Sequence, residues 1–312
     1  MNNYYQTEGN ILTDVDKFVM VILLSKVDNA QLALVLNYLY PAMMHHYNHE
    51  LEYTETVKWF VAVGQLLKGE YYPGEVIWDQ QSVDAFIYEM QKYRPEYDLS
   101  RTAFLLQETR NTDSFYKYST SLFAHHSRLL VVRVDLQYKI EYRSDISVWD
   151  FDEHMTALRE RMSNKKGCFK GLEGFVWSLE QGYKQTGSHD NKGSLHCHLA
   201  LLYNGAKKDN GYYCGRSVGE KWVSMTDGQG SYFNCNDPKY FNVFKMKGTL
   251  GVGMTHRNDS DKVQNTINAL SYLTTKKDKY EQRLKAKIPN MRTFGHGTYR
   301  TKKRRGLPPI TN

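Results

Sequence analysis

Two histidines stand two residues apart, His196 and His198, in the run Gly193-Ser194-Leu195-His196-Cys197-His198-Leu199-Ala200-Leu201-Leu202-Tyr203. Turn residues bound that run, Gly193-Ser194 before it and Asn204-Gly205 after it, and the apolar stretch between them predicts a β-strand. Alternate side chains of a strand share a face, so the two imidazoles point the same way, with Ala200 and Leu202 following. Leu195, Cys197, Leu199 and Leu201 fall on the other face, the expected core side, so Cys197 is not expected to share a ligand set with the histidines. Two imidazoles side by side can hold one divalent metal. The same pattern also suits a histidine that caps a turn beside one that is an ordinary sheet residue. Upstream, Gly174-Phe175-Val176-Trp177-Ser178-Leu179-Glu180 alternates with Phe175, Trp177 and Leu179 toward a core, which sets Ser178 and Glu180 opposite. If that strand neighbours the histidine strand, one polar face collects Glu180, His196 and His198, a set suited to a hard or borderline ion with open positions. Glu180 equally reads as a solvated strand end.

Other elements must position these groups. Leu129-Leu130-Val131-Val132-Arg133-Val134-Asp135-Leu136-Gln137 predicts a strand with Leu130, Val132, Val134 and Leu136 on its core face and Arg133, Asp135 and Gln137 on the other. Helices are expected over 148–162 and 218–225, and a strand near 249–254. A long helix is expected from Ser260 to Lys285, capped by Asp259 or Ser260 and limited by Pro289. On it, Val263, Ile267, Leu270 and Thr274 form a narrow stripe to pack on the domain. Tyr272 lies roughly opposite, with Lys276 one turn on, and Asn265, Asn268 and Lys279 on the same polar side. A tyrosine so placed is either an ordinary exposed residue or one presented to a substrate. Residues 1–125 predict helices over 15–26, 30–47, 55–67, 80–93 and 99–107, broken at Tyr72-Pro73-Gly74 and Pro95. His45 and His46 adjoin on a helix and are not expected to act as ligands together.

Composition narrows the classes. The chain has 41 Lys and Arg against 34 Asp and Glu, a net +7 that admits a polyanionic partner without demanding one. Tyrosine is abundant, 24 residues, and tyrosines among basic residues suit stacking on unpaired bases, although that abundance makes any lone tyrosine weak support for catalysis. Four cysteines without a C-x-x-C pair, and no secretory signal, point to a reduced cytoplasmic compartment. The longest apolar run, Phe18 to Leu24, is too short to span a bilayer, so no membrane partner is expected.

A His-x-His strand, an upstream Glu and a downstream Tyr-x-x-x-Lys resemble the layout of the HUH endonuclease superfamily. More narrowly, the chain resembles the inovirus gene-two-type replication proteins of filamentous phages and prophage-like elements. The phrases that carry the resemblance are His126-Ser127-Arg128-Leu129-Leu130-Val131-Val132-Arg133-Val134-Asp135-Leu136, Trp177-Ser178-Leu179-Glu180, Leu195-His196-Cys197-His198, Ala269-Leu270-Ser271-Tyr272-Leu273-Thr274 and Arg292-Thr293-Phe294-Gly295. They cover roughly residues 112–300. The resemblance implies an HUH-type domain with a central antiparallel sheet flanked by helices (126–300); with the helical N-terminal region (1–125) read from apolar spacing and a basic tail (301–312), the expected fold class is α+β.

It further implies a rolling-circle replication initiator that nicks single-stranded origin DNA with a divalent metal, Mg or Mn, and works beside a host helicase and polymerase. Carried over by position, His196 and His198 are metal ligands, Tyr272 the nucleophile and Lys276 its companion. Glu180 is the third ligand, with His189 as rival because the insert 183–192 is longer than usual in the family. A second tyrosine, Tyr280, falls about 80° round the expected helix from Tyr272, which favours a single nucleophile. Lys302, Lys303, Arg304 and Arg305 are candidate phosphate contacts, or a solvated tail. A relaxase or transposase, a non-catalytic DNA binder on the same scaffold, and a hydrolase of another phosphate ester are the competing expectations.

Overall fold

The computed structural model describes residues 7–25, 31–69, 72–182, 192–275 and 278–299. Helices α1 (Glu8–Leu24), α2 (Leu32–His46), α3 (Glu55–Lys68) and α4 (Gln80–Gln91) come first, then a long helix, α5 (Arg94–His125). Short polar side chains start several of them: Thr7 accepts from the Asn10 N–H, and Asp79 and Ser82 form a reciprocal cap on α4. Their apolar stripes meet in one core that includes Val15, Leu36, Phe60, Trp78 and Phe86. The expected break at 93–95 is only a boundary, because proline is tolerated in the first turn, where its missing N–H has no partner to lose. From there α5 runs 32 residues, about 48 Å. It is buried at Tyr97 and not again until Phe115, so it leaves the helical core and reaches a second one.

That second core belongs to an antiparallel sheet. Strands β2 (Arg128–Tyr138), β3 (Leu172–Gln181) and β4 (Leu195–Asn204) form its centre in the order β2-β4-β3. On the outer edge of β2, β6 (Gly253–His256) pairs with its first residues and β5 (Gly230–Asn234) with its last, while β8 (Phe294–His296) pairs with β3. Helices α6 (Val148–Asn164) and α7 (Gly211–Met225) cover one face, where Phe151, Met155, Leu158 and Trp222 pack on Val132, Val134, Leu199 and Leu201. The C-terminal half of α5 and α9 (Ser260–Thr275) cover part of the other, where Phe115, Leu122, Ile267 and Leu270 pack on Leu129, Val131, Ala200 and Leu202. Both faces are therefore apolar at one end of the strands. Beyond Ala200 the second face turns polar. A short helix, α8 (Pro238–Met246), lies between β5 and β6.

The fold class is α+β with a helical N-terminus, as expected. Several elements differ, beyond the earlier start of α1 at Glu8 and the greater length of α5. The helix expected over 218–225 begins at Gly211, where Asn210 caps it. The strand expected over 249–254 lies at Gly253–His256. The helix expected to reach Lys285 ends at Thr275, and from Asp278 the chain turns back. Tertiary contacts override helix propensity there. Tyr280 inserts into the helical core against Tyr97 and Phe104, at ring distances of 6.1 and 5.3 Å. Arg283 bonds buried Asp16 of α1 at 2.9 Å. Strand β7 (Ala286–Lys287) then pairs with β1 (Glu52–Tyr53). Among the described residues, no helix is long and apolar enough to cross a membrane.

Candidate metal centre

Register builds the site. In the β3–β4 pair Glu180 lies opposite His196 and Ser178 opposite His198, and in the β2–β4 pair Asp135 lies opposite His198. These residues occupy the polar end of the face that α5 and α9 cover elsewhere. Glu180, His196 and His198 bring one ligand atom each within 4.8 Å of one another, so they can hold a metal ion. Glu180 is 1% exposed, and its Oε2 lies 3.3 Å from His198 Nε2 and 3.6 Å from His196 Nε2. The His198 Nε2 atom is buried and makes no hydrogen bond, since its approach to Glu180 has ion-pair distance without hydrogen-bond geometry. A buried nitrogen aimed at a carboxylate and left without a proton partner fits a metal ligand.

The far nitrogens of both rings are held. His198 Nδ1 meets Asp135 Oδ1 at 2.7 Å, and His196 Nδ1 meets the Ser194 carbonyl at 3.3 Å. Each acceptor places the proton of a neutral ring on Nδ1 and leaves Nε2 as the donor of a lone pair. Glu180 is held too. Its Oε1 accepts from Lys279 Nζ at 2.8 Å, and Lys279 also donates to Ser178 Oγ. Lys279, expected on the polar face of α9 beside Asn265 and Asn268, is instead buried beneath Glu180, because the helix ends before it.

Charge explains the protonation states. Burial opposes ionisation of Glu180, but the two imidazoles and Lys279 outweigh it and hold the carboxyl well below the usual range. Burial likewise opposes ionisation of Asp135, and His198, Arg133 and His196 together push it far below the usual range. Burial works against a charged His198, yet Asp135 and Glu180 raise it above the ordinary histidine value. Two carboxylates thus face two fixed cations, Lys279 and Arg133. A bound dication would leave the site net positive, a setting that attracts an anionic ester.

Tyr272 is 42% exposed on α9, on the far side from the buried Ile267 and Leu270. Its ring lies beneath the Arg133 guanidinium, 5.7 Å from Cζ to the ring centroid, and Arg133 pairs at 3.3 Å with Asp135, the carboxylate that holds His198 Nδ1. One arginine therefore spans the gap between the tyrosine and the histidine pair. Tyr280 sits apart, in the helical core. Lys276, His189, Lys302, Lys303, Arg304 and Arg305 lie outside the described residues.

Three site residues escaped sequence reasoning: Asp135, Arg133 and Lys279. The first two were on the polar face of a predicted strand, but their meaning depends on a pairing that local pattern does not encode. For Lys279 a signal exists, because Leu284, Ala286 and Ile288 alternate and argue against a helix through that stretch. No protein-family model, curated protein or solved structure matches the chain.

Proposed function

We propose that the protein is a metal-dependent DNA nicking and joining endonuclease that starts rolling-circle replication from a single-stranded origin. The observation that carries this reading is the convergence of His196 Nε2, His198 Nε2 and Glu180 Oε2, with Tyr272 joined to them through Arg133. Three protein ligands of mixed imidazole and carboxylate character suit Mn²⁺ or Mg²⁺ with open positions. Such an ion, held by Glu180, His196 and His198, supplies Lewis-acid polarisation of a phosphodiester and orients it.

The remaining chemistry falls to the chain. Tyr272 Oη attacks phosphorus, the bond from phosphorus to the 3′ oxygen breaks, and the phenol proton ends on that oxygen. The products are a 5′-phosphotyrosine and a free 3′-hydroxyl. Arg133, above the Tyr272 ring, stabilises the developing phenolate and the charge on the phosphoryl oxygens. No bond energy is lost to water, so a later 3′-hydroxyl reverses the step and closes a strand.

The test uses labelled single-stranded DNA from the intergenic region beside the gene, with Mn²⁺ or Mg²⁺. A protein–DNA adduct that survives denaturation, is absent in Tyr272→Phe and is absent with EDTA is the expected result. Cleavage without an adduct would assign a hydrolase instead. Absence of cutting on every strand tried, with binding retained, would assign a non-catalytic DNA binder.

A further inference from the structure

Helix α8 has no buried residue, which is unusual for a helix rich in aromatic and aliphatic side chains. Only Phe241 is half-buried; Tyr240, Val243, Phe244 and Met246 face solvent, Met246 at 80%. Tyr240 and Phe244 are four residues apart and share one side of the helix, where Lys247 follows at the next turn. Phe233, exposed on β5, meets Tyr240 edge-on at 4.8 Å, and Tyr240 meets Phe244 at 5.6 Å. Three exposed rings thus form a continuous ladder. Lys239, Lys245 and Lys247 flank it, and no Asp or Glu occurs from Pro238 to Asn258. At its inner end, the Tyr240 phenol lies within electrostatic range of Arg133 and Asp135.

We infer that α8 and Phe233 form a stacking platform for single-stranded DNA, which delivers the strand to Tyr272. A protein partner would be met by an apolar surface bordered by balanced charges of both signs; on this helix Lys239, Lys245 and Lys247 outnumber the capping Asp237. Rings interleaved with lysines suit bases and phosphates in alternation, and every base has a face to stack, so the platform needs no particular sequence. Its position beside Arg133 and Tyr272 acquires meaning from the nicking function proposed above, and the inference rests on that reading for its role though not for its chemistry.

The test measures fluorescence anisotropy of a labelled oligothymidylate and of a duplex of equal length, with the full chain. Tyr240→Ala combined with Phe244→Ala is expected to weaken single-strand binding by about 10- to 100-fold, with Mn²⁺ affinity unchanged. Tyr240→Leu with Phe244→Leu keeps the apolar surface and loses the stacking, so it should weaken binding nearly as much. Lys245→Gln with Lys247→Gln should lower the salt dependence by roughly one to two ions. Single-strand affinity equal to wild type in both aromatic pairs would overturn the platform, whether or not the wild type forms its adduct. So would a wild-type dimer in sedimentation that the alanine pair dissociates while DNA affinity stays unchanged, because the ladder would then be a self-association surface. Binding that depends on the rings, without any adduct in the wild type, would uphold the platform and remove the nicking function.

Discussion

Asp135→Asn isolates the charge behind His198, one of the three residues that could hold a metal. Asparagine is isosteric, and its carbonyl oxygen can still accept from His198 Nδ1, where the carboxylate now lies at 2.7 Å. The ring orientation therefore survives and the charge does not. The hydrogen bond falls from a charge-assisted to a neutral one, a loss of about 1 kcal/mol. Arg133, now 3.3 Å from the carboxylate, loses its counter-charge and stands as a bare cation beside a site meant for a dication, at a cost of about another 1 kcal/mol. Together these correspond to a loss of about 10- to 100-fold in metal affinity, the usual range for a group that orients a ligand. An opposing effect operates at low pH. Asp135 raises the proton affinity of His198, so its removal weakens the proton as a competitor. The loss should be full at pH 8 and smaller at pH 6. Calorimetric titration with MnCl₂ at both values, beside a thermal melt to show that the variant folds, gives the answer. A folded Asp135→Asn that binds Mn²⁺ within twofold of wild type at pH 8 would refute the reasoning.

Metal affinity of the wild type should rise with pH, because His198, raised above its ordinary value by Asp135 and Glu180, must shed a proton to bind. Titrations at pH 6.5 in buffers of different ionisation enthalpy should show proton release, and none would contradict the assignment of His198 as ligand. Lys285 is fully buried, and burial pushes it down from its ordinary 10.5 to about 7. The unfolded chain therefore binds the extra proton between about pH 7 and 10, and stability should climb with pH across that window. Lys285→Met should flatten the climb in melting temperature from pH 7 to 9, whereas parallel profiles for the two proteins would count against it. Leu270, 1% exposed, pins α9 to the sheet. Leu270→Ala should cost about 2–5 kcal/mol in urea unfolding, and a cost below about 1 kcal/mol would mean that the helix is anchored elsewhere.

What was legible in the sequence follows periodicity. The period of two in 172–181 and 195–204 was enough to put Glu180, His196 and His198 on polar faces, and the stripe Ile267, Leu270 was enough to turn Tyr272 outward. Which strands adjoin, and in what register, is a matter of contacts distant in sequence. Asp135 faces His198 across 63 positions of chain that carry no local trace of the pairing. The second face of the sheet was expected to be the less apolar one, with the core on the side of Leu195, Cys197, Leu199 and Leu201. Val131, Val176 and Leu202 are instead buried under α5 and α9, because a helix reading cannot say that 115–123 leaves one core to cover another. The overlong helix at 260–285 failed for the same reason: Tyr280 and Arg283 answer to partners in the first hundred residues.

That last stretch bears on how the protein can be taken apart. Within five residues it carries Lys279, which grips Glu180, then Tyr280 in the helical core, then Arg283 on Asp16. A fragment begun at residue 126 would keep all three and lose the surroundings of two, stranding a charged arginine and an apolar ring at the root of the metal ligand. A minimal fragment that keeps the site intact is therefore not to be had by truncation. It calls for a circular permutation that carries α1 to α4 along, or a redesign of 278–287 that frees Lys279 from its anchors. For an engineer, the modules of this protein are interleaved, and the seam between them runs through the site itself.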